Sequence, residues 1–156
     1  GEYGNLLVLK AFTKLYAMAG LRLGYCLCSD RALLDAMRGA GQPWAVSGPA
    51  QAAGAAALGE TEYVRDLRAL IGRERPRLAA ELSRLGFRVI PGEANYLLFR
   101  SHTPLIQPLR ERGILLRDCG NYHGLEAGWY RAAVRTAEEN DRLTAALEEI
   151  LKEGAP

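Results

Sequence analysis

Residues 11–25 read Ala11-Phe12-Thr13-Lys14-Leu15-Tyr16-Ala17-Met18-Ala19-Gly20-Leu21-Arg22-Leu23-Gly24-Tyr25. The apolar run before this stretch, Leu6-Leu7-Val8-Leu9, suits a short buried strand. Leu21 to Cys28 reads as a second strand, with Gly24 allowing a close backbone approach. Between them Met18-Ala19-Gly20 turns the chain. Lys14 is therefore expected just past a strand end, where open α/β sheets bind ligands. Lysine is scarce: of 20 basic side chains only Lys10, Lys14 and Lys152 are lysine. A lysine that bonds covalently to a carbonyl compound must do so as the neutral amine, and a free lysine titrates near about 10.4. Burial or a neighbouring positive charge favours the neutral form. Arg22 is placed to supply that charge, and its planar fork suits two phosphate oxygens. Thr13 adds a hydroxyl donor beside the lysine. On spacing alone, a surface lysine and a surface arginine flanking a hairpin remains the simpler account.

Composition narrows the function classes. At 156 residues the chain can bury one core or a little more, and 49% apolar with 24% charged residues is ordinary for a soluble globular protein. A net charge of +2 is too small to argue for nucleic acid or a membrane surface. No apolar run reaches the roughly 18 residues of a membrane span, and no secretory signal pattern opens the chain. The cytoplasm is the expected location. The absence of an initiator methionine suggests that Gly1-Glu2 lies inside a longer protein. Cys26, Cys28 and Cys119, with His102 and His123, lack zinc-site spacing, so no metal is expected and the thiols read as reduced.

Beyond the second strand, Ser29-Asp30 caps a helix to about Arg38, and Ser47-Gly48-Pro49 opens an alanine-rich helix from Ala50 to Leu58. A long helix follows from about Glu60 to Leu85, with Tyr63, Leu67, Leu70, Ile71, Leu78, Leu82 and Leu85 as its apolar face. Pro76 is expected to kink it, and Gly86 closes it. Short elements come next: strands at Phe87–Ile90, Tyr96–Arg100, Ile114–Arg117 and Trp129–Val134, and a helix from Thr103-Pro104 to about Arg112. Thr136-Ala137-Glu138-Glu139 has capping-box spacing and starts the last helix. The expected organisation is α/β: a fragment of a larger parallel-sheet domain over residues 1–59, a linking helix over 60–85, and a small α+β domain over 86–156.

Within the last part, Arg117 and Arg131 flank the polar loop Asp118-Cys119-Gly120-Asn121-Tyr122-His123-Gly124-Leu125. If the loop folds back, the two guanidinium groups converge into a clamp for carboxylate or phosphate. Arg135 alternates with Arg131 and reads equally as an exposed residue. Asn95, before a strand, reads equally as a substrate hydrogen-bonding group or as a turn-stabilising one.

Thr13-Lys14 followed by Ala19-Gly20-Leu21-Arg22-Leu23-Gly24-Tyr25 resembles the cofactor-lysine segment of fold-type I pyridoxal-phosphate enzymes of the aminotransferase class I/II group. There Ser/Thr-Lys precedes Ala-Gly-Leu-Arg-x-Gly-Tyr. Ala11 departs from it, since relatives often carry a hydroxyl residue there. The resemblance implies that Lys14 attaches pyridoxal 5'-phosphate and that Thr13 and Arg22 help to hold it. It implies that Arg131 grips the substrate α-carboxylate and Arg117 a second anionic group, in members whose substrates are phosphorylated amino acids. Pro43-Trp44-Ala45-Val46-Ser47 and Glu93-Ala94-Asn95-Tyr96 fit the same branch. A homodimer acting on a small molecule by decarboxylation or transamination is the expected whole. The resemblance covers a C-terminal part only. The family's earlier segment supplies a phosphate loop, a stacking aromatic ring and an aspartate at the pyridinium nitrogen, so this stretch alone is expected to be inactive. A non-catalytic module that keeps the fold is the alternative.

Overall fold

The computed structural model describes Tyr3 and residues 5–154. It divides into two units, Gly1–Arg65 and Asp66–Pro156.

In the first unit β1 (Leu7–Ala11) is followed by a one-turn helix, α1 (Phe12–Leu15), a 3-10 turn at Ala19–Leu21, and β2 (Gly24–Cys28). β1 and β2 pair antiparallel, from Leu7 opposite Cys28 to Ala11 opposite Gly24. The link between them holds only two single turns, too little for the crossover that would make them parallel neighbours. β2 starts later than Leu21 because Arg22 takes a left-handed conformation, φ 52°, which ends the 3-10 turn and delays the strand. Gly24 is required where the ribbon narrows: a Cβ there would lie 2.8 Å from the Lys10 carbonyl oxygen. Helix α2 (Arg31–Ala40) is capped by Asp30, whose carboxylate accepts from the Leu33 amide at 3.1 Å. Helix α3 (Gly48–Leu58) starts at Ser47, whose hydroxyl accepts from the Ala50 amide. Its small residues permit close packing. A Cβ on Gly54 would lie 2.4 Å from a methyl of Leu23.

Helix α4 (Thr61–Arg84) begins in the first unit and continues into the second, helical throughout despite Pro76. The second unit contains β3 (Arg88–Ile90), β4 (Tyr96–Arg100), α5 (Ile106–Glu111), β5 (Arg117–Asp118), β6 (Trp129–Ala133) and α6 (Ala137–Glu153). Its strands form one antiparallel sheet in the order β3-β4-β6-β5. Alternation along β4 and β6 sends Leu97, Phe99, Tyr130 and Ala132 into a core completed by Leu78, Leu82, Leu105, Leu109, Leu147 and Ile150. Phe99 lies fully buried, its ring centroid 5.3 Å from Phe87 and 5.9 Å from Tyr130.

Several expected elements are shorter than the sequence suggests. α5 starts at Ile106 because the Ser101 hydroxyl accepts from the Thr103 amide and donates to the Thr103 carbonyl, holding that segment as a turn. β5 keeps one residue, Arg117, of the expected Ile114–Arg117 strand and extends to Asp118. Ile114 and Leu116 instead pack on the core from irregular backbone. β3 loses Phe87 to the turn after α4, where the Phe87 amide donates to the Leu82 carbonyl.

The apolar stripe of α4 also contains an acid. Glu74 is 2% exposed, between half-buried Leu70 and buried Leu78. It accepts from Arg77, Arg73 and the amide of Asn140. The Arg77 hydrogen bond, with help from Asn140 and Arg73, holds this carboxyl below its ordinary range against burial. Asn140 in turn donates to the Arg135 carbonyl and accepts from the Arg135 amide, tying α6 to the end of β6. α6 itself starts with the expected capping box, Thr136 with Glu139. No helix among the described residues is long and apolar enough to cross a membrane.

Candidate functional site

Lys14 lies inside α1 rather than after a bare strand end, and its side chain is exposed. The turn that carries it is fixed from below. Phe12 is buried and stacks on Tyr16 at 5.1 Å, with Tyr25 edge-on at 5.8 Å. The Tyr16 and Met18 amides both donate to the Phe12 carbonyl, and the Tyr63 hydroxyl donates to the Leu15 carbonyl at 2.9 Å. Thr13 is half-buried beside the lysine. The Phe12 amide donates to the Leu23 carbonyl at 3.2 Å. That bond brings the segments carrying Lys14 and Arg22 to one end of the ribbon.

Arg22 is exposed and donates to the Ala19 carbonyl at 3.1 Å. A left-handed conformation at a non-glycine residue costs on the order of 1 kcal/mol and tends to persist at functional positions. The donor set at this end of the ribbon is an amine, a hydroxyl and a guanidinium. Such a set has the chemistry to take a phosphorylated aldehyde, with an amine for a carbonyl carbon and two donors for phosphate oxygens.

The second set lies on the outer face of the sheet. Arg117 and Arg131 are directly opposite each other across β5 and β6. Like charges in that position disfavour the sheet. Each is held on an aromatic ring instead of an acid: Arg131 lies 4.7 Å from the Tyr96 centroid and Arg117 lies 5.5 Å from Tyr122. Neither forms an ion pair among the described residues. Arg135 does not belong to this set, because its side chain pairs with Glu139 at 2.7 Å. Asn95 is exposed just before β4, where its backbone carbonyl accepts from the Val134 amide at 2.9 Å.

Cys119 follows Arg117 in the loop and is fully buried. Burial pushes its thiol up, against the pull of Arg131 and Arg117. A protonated, enclosed thiol is a poor nucleophile. The aromatic partners Tyr96 and Tyr122 escape sequence reasoning, since only the folded sheet and its loop show which ring lies beside which guanidinium. The two-residue alternation along β4 is a signal for Tyr96, while Tyr122 lies in the loop between β5 and β6, where no such pattern runs.

The Aminotransferase class I and II family matches residues 1–147 of the chain. The chain belongs to this family, which is pyridoxal-phosphate dependent. It is 40% identical to the threonine-phosphate decarboxylase of Salmonella typhimurium over 97% of this chain and 43% of that protein. It is 39% identical to a histidinol-phosphate aminotransferase of Symbiobacterium thermophilum over 98% of this chain and 42% of that one. The chain thus spans less than half the length of these relatives. The crystal structure of the histidinol-phosphate aminotransferase from Clostridium acetobutylicum matches 97% of the chain and 47% of its own length, with a TM-score of 0.92 and 28% identity.

Proposed function

We propose that this chain is the C-terminal part of a pyridoxal-phosphate enzyme that acts on a phosphorylated amino acid. The preferred reaction is decarboxylation of L-threonine O-3-phosphate in cobalamin biosynthesis. The observation that carries this reading is the Arg117–Arg131 pair: two adjacent guanidinium groups without acidic partners among the described residues suit a substrate with two anionic groups. Arg131 holds the carboxylate and Arg117 the phosphate, with Asn95 as a further hydrogen-bonding group.

Lys14 Nζ is the covalent attachment point, and Thr13 and Arg22 hold the cofactor phosphate. Pyridoxal phosphate, when bound, supplies an electron sink for the pair released as a bond to the substrate Cα breaks. Arg131 decides the outcome by fixing the carboxylate torsion. For proton transfer at Cα, Lys14 Nζ is the carrier. The second reading, transamination of histidinol phosphate, is supported by the near-equal identity to relatives of both names. The domain limits we assign are 1–59 for the large-domain portion, 60–85 for the linking helix and 86–156 for the small domain. The working enzyme is a cytoplasmic homodimer.

Product analysis of the whole enzyme tests this. Carbon dioxide released from threonine phosphate supports the decarboxylase. Amino transfer from histidinol phosphate to a keto acid supports the second reading. Arg131→Gln is expected to lower kcat/KM by roughly ten- to a hundredfold, the worth of a charge-assisted hydrogen bond. No turnover of either substrate by cofactor-loaded enzyme overturns the assignment.

A further inference from the structure

The outer face of the second unit's sheet carries another pair of arginines, one register row away. Arg88 and Arg100 are cross-strand partners in β3 and β4, and Arg100 is in turn opposite Trp129 in β6. Both guanidinium groups lie against the Trp129 ring, at 5.8 and 5.9 Å from its centroid. Arg131 lies two residues along β6 and rests on Tyr96, so the two pairs are held on different rings.

Several other arginines of this unit are satisfied by carboxylates. Arg77 pairs with Glu74 and Asp141, Arg84 with Glu81, Arg112 with Glu153, and Arg135 with Glu139. Arg88 makes no ion pair among the described residues. Among the described residues Arg100 reaches only one carboxylate, that of Glu126 at 3.7 Å, which is 78% exposed. Such a pair is weak and solvent-screened, so a better anion displaces it. Arg88 and Arg100 also line a groove of about 350 Å³ with Ser101, His102 and Thr103, and no acid lines it.

We propose that Arg88, Arg100 and His102 form an anion subsite for a phosphoryl-bearing small molecule, distinct from the Arg117–Arg131 pair. A carboxylate offers two oxygens and is matched by one guanidinium fork. A phosphoryl group offers three oxygens and about two charges, enough for both arginines. Trp129 fixes the two forks side by side, so little side-chain freedom is lost when the anion arrives. The subsite stands on this geometry alone and does not depend on the reaction assigned above.

Trp129 is a built-in reporter. Within these 156 residues Trp44 is the only other tryptophan, so in this stretch Trp44→Phe leaves Trp129 as the sole tryptophan emitter. Titration of that variant with inorganic pyrophosphate at constant ionic strength is expected to change its emission saturably. Arg88→Gln with Arg100→Gln should weaken binding by about tenfold or more. Arg117→Gln with Arg131→Gln should leave it within about twofold, as expected for separate sites. Should the double variant at 88 and 100 fail to fold by circular dichroism, Arg88→Gln alone, at an exposed position, is expected to weaken binding measurably. A non-saturating response overturns the subsite. So does binding that survives loss of Arg88, or binding that needs Arg117 and Arg131.

Discussion

The two units of this chain differ in how much of their apolar surface they bury themselves. The second closes a core around Phe99, with Leu78, Leu82, Leu105, Leu109 and Leu147 each at most 1% exposed. In the first, Phe12, Ala50 and Ala57 are the buried apolar side chains among the described residues, while Leu6, Leu9, Leu27, Leu33, Met37 and Trp44 stand exposed. Both contain regular elements with well-formed caps. The contrast shows that local signals make helices and strands, but a folding unit needs two faces pressed together. A two-stranded ribbon and helices rich in alanine supply few large side chains to press.

The sharpest way to break this comparison is to empty the second unit's core. Phe99→Ala should cost about 3–5 kcal/mol, read as a lowered urea midpoint, because the rings of Phe87 and Tyr130 lose their shared partner. A small loss would mean that the core collapses around the gap and is less tightly packed than its burial implies.

A smaller effect is expected at the ribbon. Gly24→Ala places a methyl 2.8 Å from the Lys10 carbonyl oxygen, and since that atom is backbone the strands must move. A local cost of about 1–3 kcal/mol should appear as faster amide exchange through β1 and β2. The second unit's unfolding midpoint should stay where it was. A shift of both would show that the units are energetically one.

The smallest effect concerns acid. The side-chain hydrogen bond from Arg135, followed by that from Thr136, lowers the Glu139 carboxyl from 4.5 to about 2. The unfolded chain therefore binds this proton first, so the contribution is complete above about pH 4.5. It is lost as pH falls toward about 2. Glu139 is 42% exposed, so solvent screening keeps the gain below about 1 kcal/mol. Glu139→Gln should flatten stability against pH in that window only. An unchanged slope would place the acid sensitivity elsewhere, with Glu74 the next carboxyl to test.

Much of the helical framework is legible in the residues. Asp30, Ser47 and Thr136 each announce a helix, because a capping side chain is a local device that needs no distant partner. The Thr13-Lys14 to Tyr25 string likewise carries its family likeness unaided, since the match spans consecutive positions. Glu74 is hidden from such reading. Its place in an apolar stripe makes sense only once Asn140, sixty-six residues away, is beside it.

The arginines show the division most clearly. Sequence alone determined which residue types are available: scarce lysines past an apolar run, and arginines within short strands. Tertiary structure decided which of them meet. Strand register put Arg117 opposite Arg131 and Arg88 opposite Arg100, and the folded sheet with its loop set each guanidinium against an aromatic ring. Register depends on how the whole sheet buries one face, and no local stretch contains that information.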